Sequence, residues 1–264
     1  MHYFIEGIQG AGKSTLTGRL EEKLPEYHVY REGDYNPVEL AWCAYLDETQ
    51  YDAVLEKYAG IAEEIGSHTV IEHKENAKRY IVSYTQILTD IPGFHKDLEQ
   101  YEIYNGRIDR DMFKDIILSR YLAWNGENGI FECSIFQNII ENQILFYEMS
   151  DEEIIDFYRR LKPVLSGKEY KILYLEPDDI SATVDVIRKE RVDEKGNEIW
   201  FGLMMDFLEN CPYGTGHGLK GFEGLTAHLK HRLELEKTIL HIVFPDNCVI
   251  LKSKNYDLTE FLNH

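Results

Sequence analysis

Gly7-Ile8-Gln9-Gly10-Ala11-Gly12-Lys13-Ser14 has the form G-x-x-x-x-G-K-S and follows the apolar run Tyr3-Phe4-Ile5 near the amino end of the chain. Such a loop works only where a buried strand ends and a helix begins, because its N–H groups and the helix N-terminus then converge on one anion. The flanking residues meet that condition. Leu16, Leu20 and Leu24 recur every four positions after Lys13 and the pattern stops at Pro25, which gives one buried helical stripe. A strand, a phosphate-binding loop and a helix are therefore expected in that order.

Each residue type in the loop has a chemical reason. Gly7, Gly10 and Gly12 allow positive φ and let the backbone approach phosphate oxygens without a Cβ in the way, and Ile8, Gln9 and Ala11 contribute N–H groups to the concave nest. The Lys13 ammonium can reach β- and γ-phosphates. Ser14 offers a hydroxyl oxygen to Mg²⁺, and Thr15, next on the helix, supports the loop.

Composition narrows the function classes. With 264 residues and 44% hydrophobic content, the chain can bury one large α/β core or one core with an inserted lid. A formal net charge of −19 argues against a nucleic-acid surface and against attraction to anionic membranes, both of which rest on clustered Lys and Arg. Cys43, Cys133, Cys211 and Cys248 are widely separated and form no C-x-x-C pair, so neither a zinc site nor a disulfide framework is expected and a reducing cytoplasm suits them. No basic-then-apolar leader and no membrane-length apolar run is visible, so a soluble, unprocessed cytoplasmic protein is expected. The ten histidines show no H-E-x-x-H or paired metal spacing.

Further along, Tyr27–Tyr30, Gly129–Glu132, Tyr170–Leu175 and Asn247–Leu251 read as short strands separated by helices. Together with the first they predict a five-stranded, mainly parallel sheet flanked by helices, a three-layer α/β fold with ligands at the carboxyl ends of the strands. Ser150 followed by Glu153 forms a capping box before Ile154, and Asp178 precedes another helix. Residues 50–124 are too poor in strand-like sequence for a simple crossover and read as a helical insertion, with helices near 50–65, 75–89 and 109–123. Residues 178–221 read as a lid followed by a mobile loop, the latter over Cys211–Gly221.

Carboxylates fall at the other strand ends. The second strand runs into Arg31-Glu32-Gly33-Asp34 and the third into Glu132-Cys133-Ser134. Glu32 or Asp34 can position an acceptor hydroxyl and take its proton, and Glu132 with Ser14 can hold Mg²⁺ directly or through water. Arg188 and Arg191, three apart on one helical face, can close on transferring phosphates, or can instead form ion pairs on a solvated helix.

These residues together resemble the deoxynucleoside kinase and thymidylate kinase branch of the P-loop kinases. Phe4-Ile5-Glu6-Gly7 with Gly10–Thr15 is similar to that branch's opening, Arg31-Glu32 followed by Pro37-Val38 and Trp42 to its second strand, Glu132 with Ser134 to its third-strand motif, and Arg188 with Arg191 to its lid arginines. The resemblance implies a P-loop NTPase fold and a kinase that moves the γ-phosphoryl of ATP, with Mg²⁺, to a nucleoside or nucleoside monophosphate, with a homodimer open. Three departures stand out. Asn36 precedes Pro37 where the branch has an acid, Trp42 lies one residue too far on, and Cys133 replaces an arginine. The acceptor pocket should come from the insertion. There Tyr84, Gln86, Tyr101, Tyr104 and Arg107 can supply an aromatic wall, a base-edge amide and a cation, with Trp42 beside them and Gln86 matching the branch's base-binding glutamine by place. Two rival classes stay open: an ATPase or switch acting on a protein partner with water as acceptor, and a relative that binds ATP without transferring it.

Overall fold

The computed structural model describes residues 1–74, 77–258 and 262. In chain order, β1 (His2–Gly7) leads through the glycine loop to α1 (Lys13–Lys23) and then to β2 (His28–Tyr30). Next come β3 (Ala44–Leu46), α2 (Glu48–Lys57), α3 (Ala62–Ser67), β4 (Thr69–Lys74), β5 (Ala77–Val82), α4 (Phe94–Glu99) and α5 (Arg110–Ala123). The chain then forms β6 (Gly129–Glu132), α6 (Gln137–Leu145), α7 (Asp151–Val164) and β7 (Tyr170–Glu176). It ends with α8 (Ile180–Glu190), α9 (Ile199–Asn210), α10 (Pro212–His217), α11 (Gly221–Ile242) and β8 (Cys248–Lys252). Two compact units divide it, Met1–Val29 with Asn125–His264 and Tyr30–Trp124.

The first unit is built on the sheet β2-β6-β1-β7-β8. Pairing is parallel between β1 and β6, β1 and β7, and β7 and β8, and every residue of β1 and β6 is buried. Parallel neighbours need long crossovers, so helices cover the sheet and its strands read as continuous apolar runs rather than alternating ones. All five strands expected from the sequence are present, and the Ser150–Glu153 capping box starts α7 as expected. The segment Cys211–Gly221 differs from the expected mobile loop. Cys211 Sγ accepts the Gly214 N–H at 3.2 Å, Pro212 sits in the first turn, and the short helix α10 results.

The second unit carries a different correction. A helix over 75–89 is absent; its first two positions lie outside the described residues, and 77–82 form β5, the centre of an antiparallel sheet β3-β5-β4. Tyr80 pairs with Leu46 on one side and Ile71 on the other, and its ring stacks on Tyr51 at 4.3 Å. Such cross-strand aromatic and β-branched pairs stabilise a sheet much as i,i+4 pairs stabilise a helix. The insertion is thus mixed rather than helical. The expected helix at 50–65 is split into α2, started by an Asp47–Gln50 capping box, and α3, while 109–123 coincides with α5, capped by Asp109. Leu46, Val54, Ile65, Val82, Ile87 and Phe94 belong to one apolar core. Among the described residues, no helix is long and apolar enough to cross a membrane, and all four cysteines are unbridged.

Candidate active site

The glycine loop sits where the sequence places it. Gly7 ends β1 at φ +139°, and a Cβ there would lie 2.6 Å from the Leu175 carbonyl oxygen of β7, so only glycine fits. Gly10, at φ +79°, lies against the Ile187 side chain of α8. Ala11 N–H bonds the Ile8 carbonyl at 3.2 Å, which turns the loop back, and α1 starts at Lys13 with Gly12 as its N-cap. Lys13 is only 7% exposed, and its Nζ donates to the Gly7 and Ile8 carbonyls at 2.9 Å each. Ser253, just past β8, donates to the Ala11 carbonyl at 2.6 Å. Loop and strand ends therefore hold one another.

Glu132 is the last residue of β6 and lies in register with Ile5 of β1. Its carboxylate accepts the Ser14 hydroxyl, so the two residues predicted to hold a metal touch each other. Ser14 and Thr15 are exposed. Cys133 follows at φ +59°, a left-handed conformation that costs energy for a non-glycine residue and that recurs at functional sites. The hydroxyl and carboxylate oxygens are hard donors of the kind Mg²⁺ prefers, and Mg²⁺ in such sites takes few protein ligands. The pair fits that ion. Among the described residues, no group of three or more His, Cys, Asp or Glu is placed to hold a metal.

Behind the loop lies a charge network that the sequence did not reveal. Arg232 of α11 is fully buried; its Nη1 bonds Glu141 of α6, its Nη2 donates to the Gly7 carbonyl at 3.4 Å, and its Nε lies 2.9 Å from Glu236 outside hydrogen-bond geometry. Glu236 in turn accepts the Tyr174 hydroxyl of β7 at 2.6 Å, and Glu141 pairs with His228 at 2.6 Å. Burial alone would raise the Glu141 pKa, yet His228 and Arg232 hold it down at about 2. Glu6, which accepts the Ile135 and Gln137 N–H groups at the start of α6, is raised to about 7 by burial. The readable signal is the set His228, Arg232 and Glu236, spaced four apart along a helix whose other inward positions are mostly apolar.

The two arginines of α8 lie on aromatic faces. Arg188 stands over Phe201 and Phe222 at 5.5 and 5.6 Å and is ion-paired with Asp185 at 3.3 Å and Glu198 at 3.2 Å. Arg191, the C-cap, stands 5.8 Å over Trp200.

The second unit gathers several of the remaining candidates. Residues Arg31–Asp34 form a turn, and Trp42, itself left-handed at φ +65° and 45% exposed, donates its indole N–H to Glu32 at 3.3 Å. The space over Gly33, between Glu32 and Asp34, is closed by the Gln86 amide: a Cβ there would come 3.1 Å from Nε2. Tyr84 is buried and donates to Glu102 at 2.7 Å, while Arg107 pairs with Glu99. Tyr104 packs edge-on to Phe113, and Tyr101 is half-buried against the apolar core. Asn36 accepts the Val38 N–H and its carbonyl takes a bond from Arg120, whose other nitrogen holds Glu72 at 2.7 and 2.8 Å. Glu39 is buried, accepts the Ala41 N–H at 2.6 Å, and is raised to about 8 by burial. Neither Arg120 nor Glu39 was singled out from the sequence.

The strand order, with β6 and its terminal Glu132 directly beside β1, and the glycine loop leading into α1 define a three-layer α/β fold of the P-loop NTPase type. The sequence matches no family model and no curated protein. Among solved structures, the chain is similar to a deoxyadenosine kinase from M. mycoides with bound dATP, at 15% identity and a TM-score of 0.38, over 98% of this chain and 94% of that one.

Proposed function

We propose that the protein is an ATP-dependent phosphotransferase that moves the γ-phosphoryl group to a small-molecule hydroxyl or phosphate, with a nucleoside or nucleoside monophosphate as the favoured acceptor. The observation that carries this reading is the loop Gly7–Ser14 at the β1–α1 junction, with the Lys13 ammonium against its carbonyls and Ser14 joined to Glu132. In it, N–H groups of the loop cradle the β-phosphate and Lys13 leaves the Gly7 and Ile8 carbonyls to meet phosphate oxygens. Ser14 and Glu132 are the residues that would hold Mg²⁺, which neutralises charge on the terminal phosphates when bound. Arg188 and Arg191, released from their aromatic partners, supply further positive charge to the moving group.

Glu32 or Asp34 positions the acceptor hydroxyl, and Trp42, Tyr84, Gln86 and Arg107 recognise the acceptor. Asn36 offers no proton-accepting carboxylate, and its amide is spent on Val38, so the base falls to the turn before it. The turn's carboxylate Glu32 is already oriented by Trp42.

The test is an acceptor screen: nucleosides, nucleoside monophosphates and small alcohols incubated with MgATP, with ADP release and the phosphorylated product both measured. ADP formed only with an acceptor, and a matching product mass, supports the reading. Acceptor-independent ADP release stimulated by a protein would favour an ATPase, and tight MgATP binding with no ADP would mark a non-transferring relative.

A further inference from the structure

A guanidinium with no solvent exposure is costly, and replacing a buried ion pair with apolar residues often leaves stability unchanged or higher. Stability alone therefore gives little reason for Arg232. Its three nitrogens face three different elements: Glu141 on α6, Glu236 one turn along α11, and the carbonyl of Gly7 at the mouth of the glycine loop. Glu141 and Glu236 are themselves held by His228 and Tyr174, so the guanidinium is fixed in one orientation. Gly7 is also a position that takes no side chain, since a Cβ there would lie 2.6 Å from the Leu175 carbonyl oxygen at a φ that other residues avoid.

Lys13 shares that carbonyl. In the structure Lys13 satisfies both Gly7 and Ile8, and reaching a phosphate means giving both up. An acceptor left buried without a donor is costly, so a second donor already on Gly7 lowers the cost of releasing the lysine. We propose that Arg232 is a positioning residue of the nucleotide site: by holding the Gly7 carbonyl it keeps that oxygen partnered and frees Lys13 for the phosphates. This rests on the reading of Gly7–Ser14 as a nucleotide's phosphate site. The same helix carries Phe222, which lies under Arg188 ten residues earlier, about 15 Å along the axis. One rigid rod thus joins an arginine of α8 to the loop.

The experiment compares wild type with Arg232→Lys and the isosteric Glu141→Gln by calorimetry with MgATP and MgADP, well below each protein's melting transition. There, a loss of fold stability leaves the affinity of the folded protein untouched. The expected result is that Arg232→Lys weakens both nucleotides by about tenfold, because both carry the β-phosphate that the loop grips. Glu141→Gln weakens them by about threefold. Wild-type binding with an unchanged affinity in folded Arg232→Lys overturns the inference and leaves the phosphate-site reading standing. If Arg232→Lys has no cooperative melt, Glu141→Gln decides alone, and wild-type affinity in it overturns the inference. Failure of the wild-type protein to bind either nucleotide overturns both.

Discussion

The Lys13 ammonium donates to two carbonyls of its own loop, at Gly7 and Ile8, which makes it the sharpest single-residue test. Lys13→Ala removes one charged donor from the phosphates, a change that costs about 10²–10³ in turnover where such donors act on developing charge. Steady-state rates with the acceptor found by screening check this, and unaltered turnover would refute the site. Gly7→Ala acts through the fold instead. Its Cβ would meet the Leu175 carbonyl at 2.6 Å and force an L residue to φ +139°, so a loss of about 2–4 kcal/mol is expected in urea unfolding. These residues were legible in the sequence because phosphate chemistry narrows the choice: glycines for backbone approach, a lysine for charge, a hydroxyl for the metal. Arg232 and Glu141 were not legible, since they are 91 positions apart and each alone looks like a surface charge on an amphipathic helix. Only the packing of α11 onto the sheet turns them inward.

At the scale of elements, the parallel strands could be read directly because burial on both faces leaves unbroken apolar runs. The antiparallel sheet could not. β3 is three residues long, and Tyr80, Tyr84 and Ile87 stand at i, i+4 and i+7, a spacing that serves a helix equally well; all three are buried, one from a strand and the others from the turn after it. Between β2 and β3, the segment around Glu39 carries its own prediction. A carboxyl raised from its ordinary 4.5 to about 8 by burial binds more protons in the folded than in the unfolded state. The stability it contributes is fully present below pH 4.5 and is lost as pH rises through 8. Glu39→Gln, which keeps the shape but cannot ionise, should flatten the fall in stability between pH 5.5 and 8 by up to about 1.4 kcal/mol per pH unit. Urea titrations of both proteins at those two pH values measure it; equal slopes would place the carboxylate in water.

For the molecule as a whole, Glu39 is one of several such groups. Glu6 and Glu102 are each raised to about 7, mainly by burial, and both follow the same sign: their contribution is complete below pH 4.5 and disappears as pH climbs through 7. Glu141 has the opposite sign. Held at about 2, it contributes above pH 4.5 and is lost only as pH falls through 2, so it does not oppose the others in the neutral range. The net charge of −19 adds self-repulsion that grows as carboxyls ionise. Both effects push one way. Stability should be higher at pH 5.5 than at pH 8, and added sodium chloride should raise the urea midpoint at pH 8 more than at pH 5.5, because salt at about 0.1 M screens surface charge beyond about 10 Å but leaves buried carboxyls untouched. The two contributions separate cleanly: salt recovers the share due to the surface, and the share due to Glu6, Glu39 and Glu102 stays lost at any salt concentration. His2, held at about 4 mainly by burial, runs the other way, its contribution being present above pH 6.5 and lost as pH falls toward 4. A urea midpoint that rises from pH 5.5 to pH 8 at constant salt would therefore show that the three carboxyls do not dominate the balance.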